Sequence, residues 1–112
     1  MINWDRVEEL RDEIGAEDFA EVVELFLEEV EQVIDKLSRA PDVNTLGDDL
    51  HFLKGSAMNL GFQALGKICQ SEERKAARGA AAEVEIGPVI ETYEMSRTTF
   101  LDALARQGIR AS

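Results

Sequence analysis

Residues 46–61 read LGDDLHFLKGSAMNLG, and their spacing sets the architecture expected of the whole chain. Leu46, Leu50, Leu53, Ala57 and Leu60 recur at intervals of four and three, the pattern of a helix that turns about 100° per residue and buries one face. On that wheel His51, the chain's one histidine, stands roughly 140° from the centre of the stripe, in an arc shared with Gly47, Asp48, Lys54, Gly55 and Met58. A solvent-facing imidazole is expected, flanked at i−4 and i+4 by glycines. Each glycine costs about 1 kcal/mol relative to alanine in a helix interior, so the pair marks a surface kept clear around the ring.

Upstream, Pro41 and Asp42 close one helix and open the next, with Asp42 as N-cap of a helix from about Val43 to Leu60. From Glu17 to about Arg39, Phe19, Val22, Val23, Phe26, Leu27, Val30, Ile34 and Leu37 hold helical period, while Glu21, Glu24, Glu28, Glu29 and Glu31 form the wet face. Before them, Asn3 caps a short helix carrying Trp4, Val7, Leu10 and Ile14, which Gly15 stops. Downstream, Gly61 fits a left-handed C-cap, and Phe62, Leu65, Ile68, Cys69, Glu72 and Ala76 set out a fourth helix to about Arg78. A joint of one or two residues forces those two helices into an antiparallel hairpin. Gly79 breaks the pattern, and Ala80 to Ile86 is ambiguous. Pro88 suits the start of a last helix carrying Val89, Ile90, Tyr93, Phe100, Leu101 and Leu104 and ending near Gly108. No strand alternation and no internal repeat is found. The reading is all-α: an antiparallel four-helix bundle, up-down-up-down, with a short additional N-terminal helix across one end, in a single domain over residues 1–112.

Composition narrows the function. The 112 residues, 45% hydrophobic and 31% charged with two prolines, suffice for a core without metal or cystine. A net charge of −11 disfavours nucleic acid and anionic lipid as partners. Cys69 is the single cysteine, so no intrachain disulfide forms, a thiol-rich zinc site is excluded, and a small core hydrophobe is the expected role. No apolar run reaches the ~18 residues of a membrane span and the first residues lack a signal-peptide layout, so a cytoplasmic location is expected.

A single imidazole without a cysteine cluster makes a poor transition-metal site, and no glycine-rich loop with a Ser or Asp partner surrounds it for general-base work. What an exposed imidazole does unaided is attack a phosphoryl group, because its reference pKa of about 6.5 leaves it neutral and nucleophilic near pH 7. Lys54, one turn along, brings a positive charge for phosphoryl oxygens. No phosphate loop is present, so the phosphoryl group has to come from another protein.

Residues 51–61, His-Phe-Leu-Lys-Gly-Ser-Ala-Met-Asn-Leu-Gly, closely resemble the His-x-Leu-Lys-Gly-Ser-x-x-x-x-Gly motif of histidine-containing phosphotransfer (HPt) domains. The segment from Gly15 through Leu27 is similar to the family's run before that motif, and the likeness spans roughly residues 15 to 105. The resemblance implies a phosphocarrier, not an enzyme, that accepts a phosphoryl group on His51 from a receiver-domain aspartate and passes it to another. It implies Lys54 as the phosphate-side cation and Gly55 as the small residue that admits the partner; Gly47, Asp48 and Met58, on the same arc of the wheel as His51, complete the expected docking face. Glu73, or Gln70 one turn away, takes the place of the residue that hydrogen-bonds the imidazole. The implied partners are response-regulator receiver domains and a hybrid histidine kinase. No cofactor is expected on the chain itself, Mg²⁺ being brought by the receiver, and the chain is expected to be a monomer. The competing reading is a helical adaptor that binds receiver or kinase domains without chemistry; a hydrolase or metalloprotein has no supporting constellation.

Overall fold

Asn3 begins the first helix by accepting the Arg6 amide on its side-chain oxygen at 3.3 Å, the N-cap bond that satisfies one orphan donor of a first turn. In the computed structural model, which describes residues 1–106, that helix is α1 (Trp4–Ile14). It is followed by α2 (Ala16–Arg39), α3 (Leu46–Leu60), α4 (Gln63–Ala77), a 3-10 turn (Ala81–Glu83) and α5 (Ile86–Arg106). Helix α3 packs on α4 and α2, and α5 packs on α4 and α2, so the four long helices close a ring in chain order. That ring is the antiparallel four-helix bundle. Helix α1 lies against α2 and α3.

The stripe of α3 is the centre of the core: Leu46, Leu50, Leu53, Ala57 and Leu60 are each no more than 4% exposed. Opposite them stand Phe19, Val23, Leu27, Val30, Ile34 and Leu37 of α2, with Leu65 and Cys69 of α4 and Val89, Phe100 and Leu104 of α5. Burying each large side chain is worth about 1.5–3 kcal/mol, which is what converts the apolar periodicity into a bundle. Phe100 takes Trp4 stacked on it at 5.9 Å and Phe62 edge-on at 5.3 Å, tying α1 and the α3/α4 joint to α5.

The joint is compact because Gly61 adopts the left-handed conformation, φ 89°. Phe62 N–H donates to Ala57 O at 2.7 Å and Gly61 N–H to Met58 O at 3.3 Å, the paired bonds of a Schellman ending. A Cβ at Gly61 would lie 2.8 Å from the backbone oxygen of Asn3, whose own amide donates to Gly61 O at 2.7 Å. The start of α1 is seated directly on the turn.

Two boundaries differ from the sequence reading. Helix α3 starts at Leu46 rather than Val43: Asp42 turns its side-chain oxygen to the Asn44 amide (2.9 Å) and its carbonyl to the Thr45 amide (3.0 Å). Asp42 thus closes a turn ahead of the helix instead of capping it. Thr45 occupies the cap position, but its hydroxyl joins Lys36 and Asp49 in a link between α2 and α3. Helix α5 starts at Ile86 rather than Pro88, and the ambiguous Ala80–Ile86 stretch holds the 3-10 turn. Proline is tolerated at the third helical residue because the first four amides of a helix have no partner within it, and Gly87 relieves the crowding that proline imposes on its predecessor. The expected end near Gly108 lies outside the described residues.

Candidate functional site

His51 projects from the middle of α3 with 68% of its side chain exposed. Its Nδ1 lies 2.9 Å from Glu73 Oε2 on α4, and Lys54 Nζ lies 2.9 Å from the other carboxylate oxygen. One carboxylate therefore bridges ring and ammonium. The Lys54 contact is an ion pair by distance without hydrogen-bond alignment, since Glu73 Oε1 is left without a hydrogen bond. Lys54 beside it, and His51 after, hold the Glu73 carboxyl below its ordinary range against the opposing effect of partial burial. An ionised carboxylate only accepts, so Nδ1 is the donor in this contact, and in the neutral form of the ring Nε2 is then the nitrogen with the free lone pair. Gln70, the alternative partner, lies half-buried on α4 and makes no hydrogen bond to the ring.

The hairpin explains this meeting. Met58 faces Gly66, His51 faces Glu73 and Gly47 faces Ala76, pairs that climb α3 and descend α4 together from the turn at Gly61. The wheel set Gly47, Lys54 and Met58 among the solvent-facing residues beside His51; in the structure these three form the flank of α3 that lies along α4. Gly47 is half-buried, its position such that a Cβ would stand 3.8 Å from Ala76 Cβ. Lys54 is half-buried and paired rather than free. Met58 is 44% exposed but folds its thioether over Gly66, where an added Cβ would be 2.9 Å from the sulfur. Asp48 and Gly55 do face solvent, and an added Cβ at Gly55 would meet nothing within 4 Å.

Beside the ring runs an open groove of about 470 Å³ in which Gly47, Asp48, His51 and Glu73 meet Val43 and Ala81. Val43 is 71% exposed and Phe52, next to His51, is 38% exposed, two apolar surfaces that the sequence reading did not place at the site. Phe52 was legible, lying off the apolar stripe in the solvent arc. Ala81 was not, because its approach depends on how the α4–α5 connection folds back. Glu72, buried next to Glu73, fixes that connection by accepting the Glu85 amide at 2.7 Å while pairing with Lys75. Cys69 is fully buried, and burial first, then the charges of Glu73 and Glu72, push its thiol up to about 12, which leaves it inert. Among the described residues no three His, Cys, Asp or Glu side chains converge as metal ligands, and no helix is long and apolar enough to cross a membrane.

The family model for the Hpt domain matches residues 21–107, which include every residue of the His51 site. No curated protein and no solved structure gives a match.

Proposed function

The chain belongs to the Hpt domain family, a phosphotransfer module of two-component signalling, and from that premise we propose that His51 is its phosphoryl carrier between receiver domains. The observation that carries the reading is an exposed imidazole whose Nδ1 is engaged by Glu73, which leaves Nε2 as the unengaged ring nitrogen. Nε2 attacks the phosphorus of a receiver's aspartyl phosphate; the N–P bond forms, the acyl O–P bond breaks, and the receiver carboxylate leaves with the bonding pair. Nδ1 retains its hydrogen, so the phosphorylated ring is cationic and gains from the Glu73 carboxylate beside it. Delivery to a second receiver is the same step reversed. Lys54, held on the far oxygen of Glu73, is within one helical turn of the ring and supplies charge for the phosphoryl oxygens.

The donor is a receiver domain of a hybrid histidine kinase and the acceptor a response regulator. Mg²⁺ belongs to the receiver's acidic pocket. The protein acts as a carrier and does not bind nucleotide. Gly55 and Asp48, with the exposed Phe52, border the approach to Nε2, and the absence of any side chain at Gly55 allows a receiver loop to come close.

Incubation with phosphorylated receivers tests this. Native protein should gain acid-labile, base-stable label, and His51→Gln should gain none while keeping its helical circular dichroism. Label on the Gln variant overturns the assignment, and tight receiver binding without any label on the native chain would favour the adaptor.

A further inference from the structure

The ring of helices has a seam between α2 and α5, on the side of the bundle away from the α3/α4 seam that holds His51. A groove of about 800 Å³ runs along it. Its floor is apolar, made of Ile34, Ile90 and the ring of Tyr93, and its edges are acidic. Glu31 in the groove faces Arg97 at 3.4 Å, and Asp35 pairs with Arg39 on its own helix. Glu28 of α2 and Glu94 of α5 have no cationic partner among the described residues. Tyr93, only 3% exposed, lines this groove; its hydroxyl is shielded from water beside Glu31 and Arg97 and makes no well-aligned hydrogen bond to either. Buried hydroxyls in folded proteins are nearly always partnered, so the Glu31–Arg97–Tyr93 cluster is left one good hydrogen bond short.

We propose that the α2/α5 groove docks a lysine- or arginine-bearing helical segment of a partner protein. The match is one of charge and shape. Long basic side chains lay their methylene stems on an apolar floor and carry their charge to the rim, where Glu28 and Glu94 stand unpaired. A nitrogen donor that engages Glu31 comes within reach of the Tyr93 oxygen only as the Glu31–Arg97 contact gives way. Because this seam is opposite the α3/α4 face, a partner held here leaves His51 open to receivers, and tethering raises the local concentration of whatever domain is attached to the basic segment. The inference rests on the groove and not on the chemistry assigned to His51.

A fluorescein-labelled amphipathic Lys/Leu peptide, roughly four helical turns long, serves as probe. Since a net charge of −11 attracts any polycation, binding has to be read against a charge-matched control, at physiological salt where the Debye length is about 8 Å. The double variant Glu28→Gln/Glu94→Gln should weaken binding about tenfold and Tyr93→Phe about threefold, while Glu8→Gln/Asp12→Asn on α1 should change it less than twofold. Amide shifts should map to α2 and α5, and His51→Gln should bind as the native chain does. Equal losses from the control pair, shifts centred on α3 and α4, or no binding to the native protein would each overturn the proposal.

Discussion

Replacing Glu73 separates the two tasks its carboxylate performs, which are fixing the ring and engaging Lys54. Glu73→Ala removes the acceptor 2.9 Å from His51 Nδ1. A hydrogen bond to a charged group is worth about 1.5–3 kcal/mol, and because 68% of the His51 side chain is exposed, water recovers part of it and the low end applies. The transition state and the phosphorylated ring are more cationic than the free ring, so most of that loss falls on the barrier. About 1.4 kcal/mol is tenfold in rate. Glu73→Gln keeps an acceptor but not its charge; a neutral bond of about 0.5–1.5 kcal/mol leaves a defect of roughly threefold. The expected order of rates is native, then Gln, then Ala, measured as single-turnover discharge of a phosphorylated receiver at saturating carrier. Nitrogen NMR of the ring gives an independent reading: Nδ1 should carry the hydrogen in the native protein, and Ala should lose that preference. If Glu73→Ala discharges the receiver at the native rate with an unchanged tautomer, the carboxylate is a structural partner of Lys54 and no more.

Gly55→Ala should stabilise the helix by up to about 1 kcal/mol, since an added Cβ meets nothing within 4 Å, whereas Gly55→Leu should fold as well yet slow transfer by filling the approach to Nε2. A Leu variant that unfolds, or that transfers normally, would contradict the open-face placement. Gly61→Ala combines a left-handed residue, costing about 1–2 kcal/mol, with a Cβ 2.8 Å from Asn3 O. Thermal unfolding should drop on the order of 10 °C, because about 1 kcal/mol shifts a domain of this size by roughly 4–8 °C; an unchanged midpoint would mean the N-terminal seat is not formed. Glu73 also links stability to pH. Its carboxyl is depressed in the folded protein, so its contribution is fully present above the ordinary value near 4.5 and lost as pH falls through the lower folded value. The stability difference between native and Glu73→Gln proteins should be flat above that value and shrink below it; a difference that grows in acid would reverse the assignment.

The parts of the molecule that were legible in the sequence are those governed by one helix at a time. The stripe Leu46, Leu50, Leu53, Ala57 and Leu60 names a buried face without knowing what covers it, and Gly61 announces its left-handed turn by being glycine at the end of that stripe. What required the structure is what two helices decide together. A wheel drawn for α3 alone cannot say that Gly47, Lys54 and Met58 lie on the flank that meets α4, because solvent and a neighbouring polar helix edge look alike from one strand of sequence. The family's register favours Glu73, yet Gln70 stays open beside it for the same reason: a turn apart on one helix, they are separated by the register set at Gly61. Asp42 and Pro88 misled because each residue has two legitimate positions near a helix start, and hydrogen bonds from Asn44 to Asp42 and from Glu85 to Glu72 choose between them.

His51, Lys54 and Glu73 all belong to the α3/α4 hairpin, the most closely packed pair of elements in the bundle, and that hairpin is closed by a short loop, Gly61 and Phe62. Bringing its two arms together costs little chain entropy, since loop-closure cost rises with the length enclosed. We therefore expect the site to be assembled early in folding, before α1 and α5 arrive to cover the core. Substitutions along the α3/α4 seam should retard folding, while those at the Asn3 seat or the Trp4–Phe100 stack should chiefly hasten unfolding. The helices on the opposite side of the bundle can then drift in sequence, taking on new partners, without disturbing a site that forms before they dock.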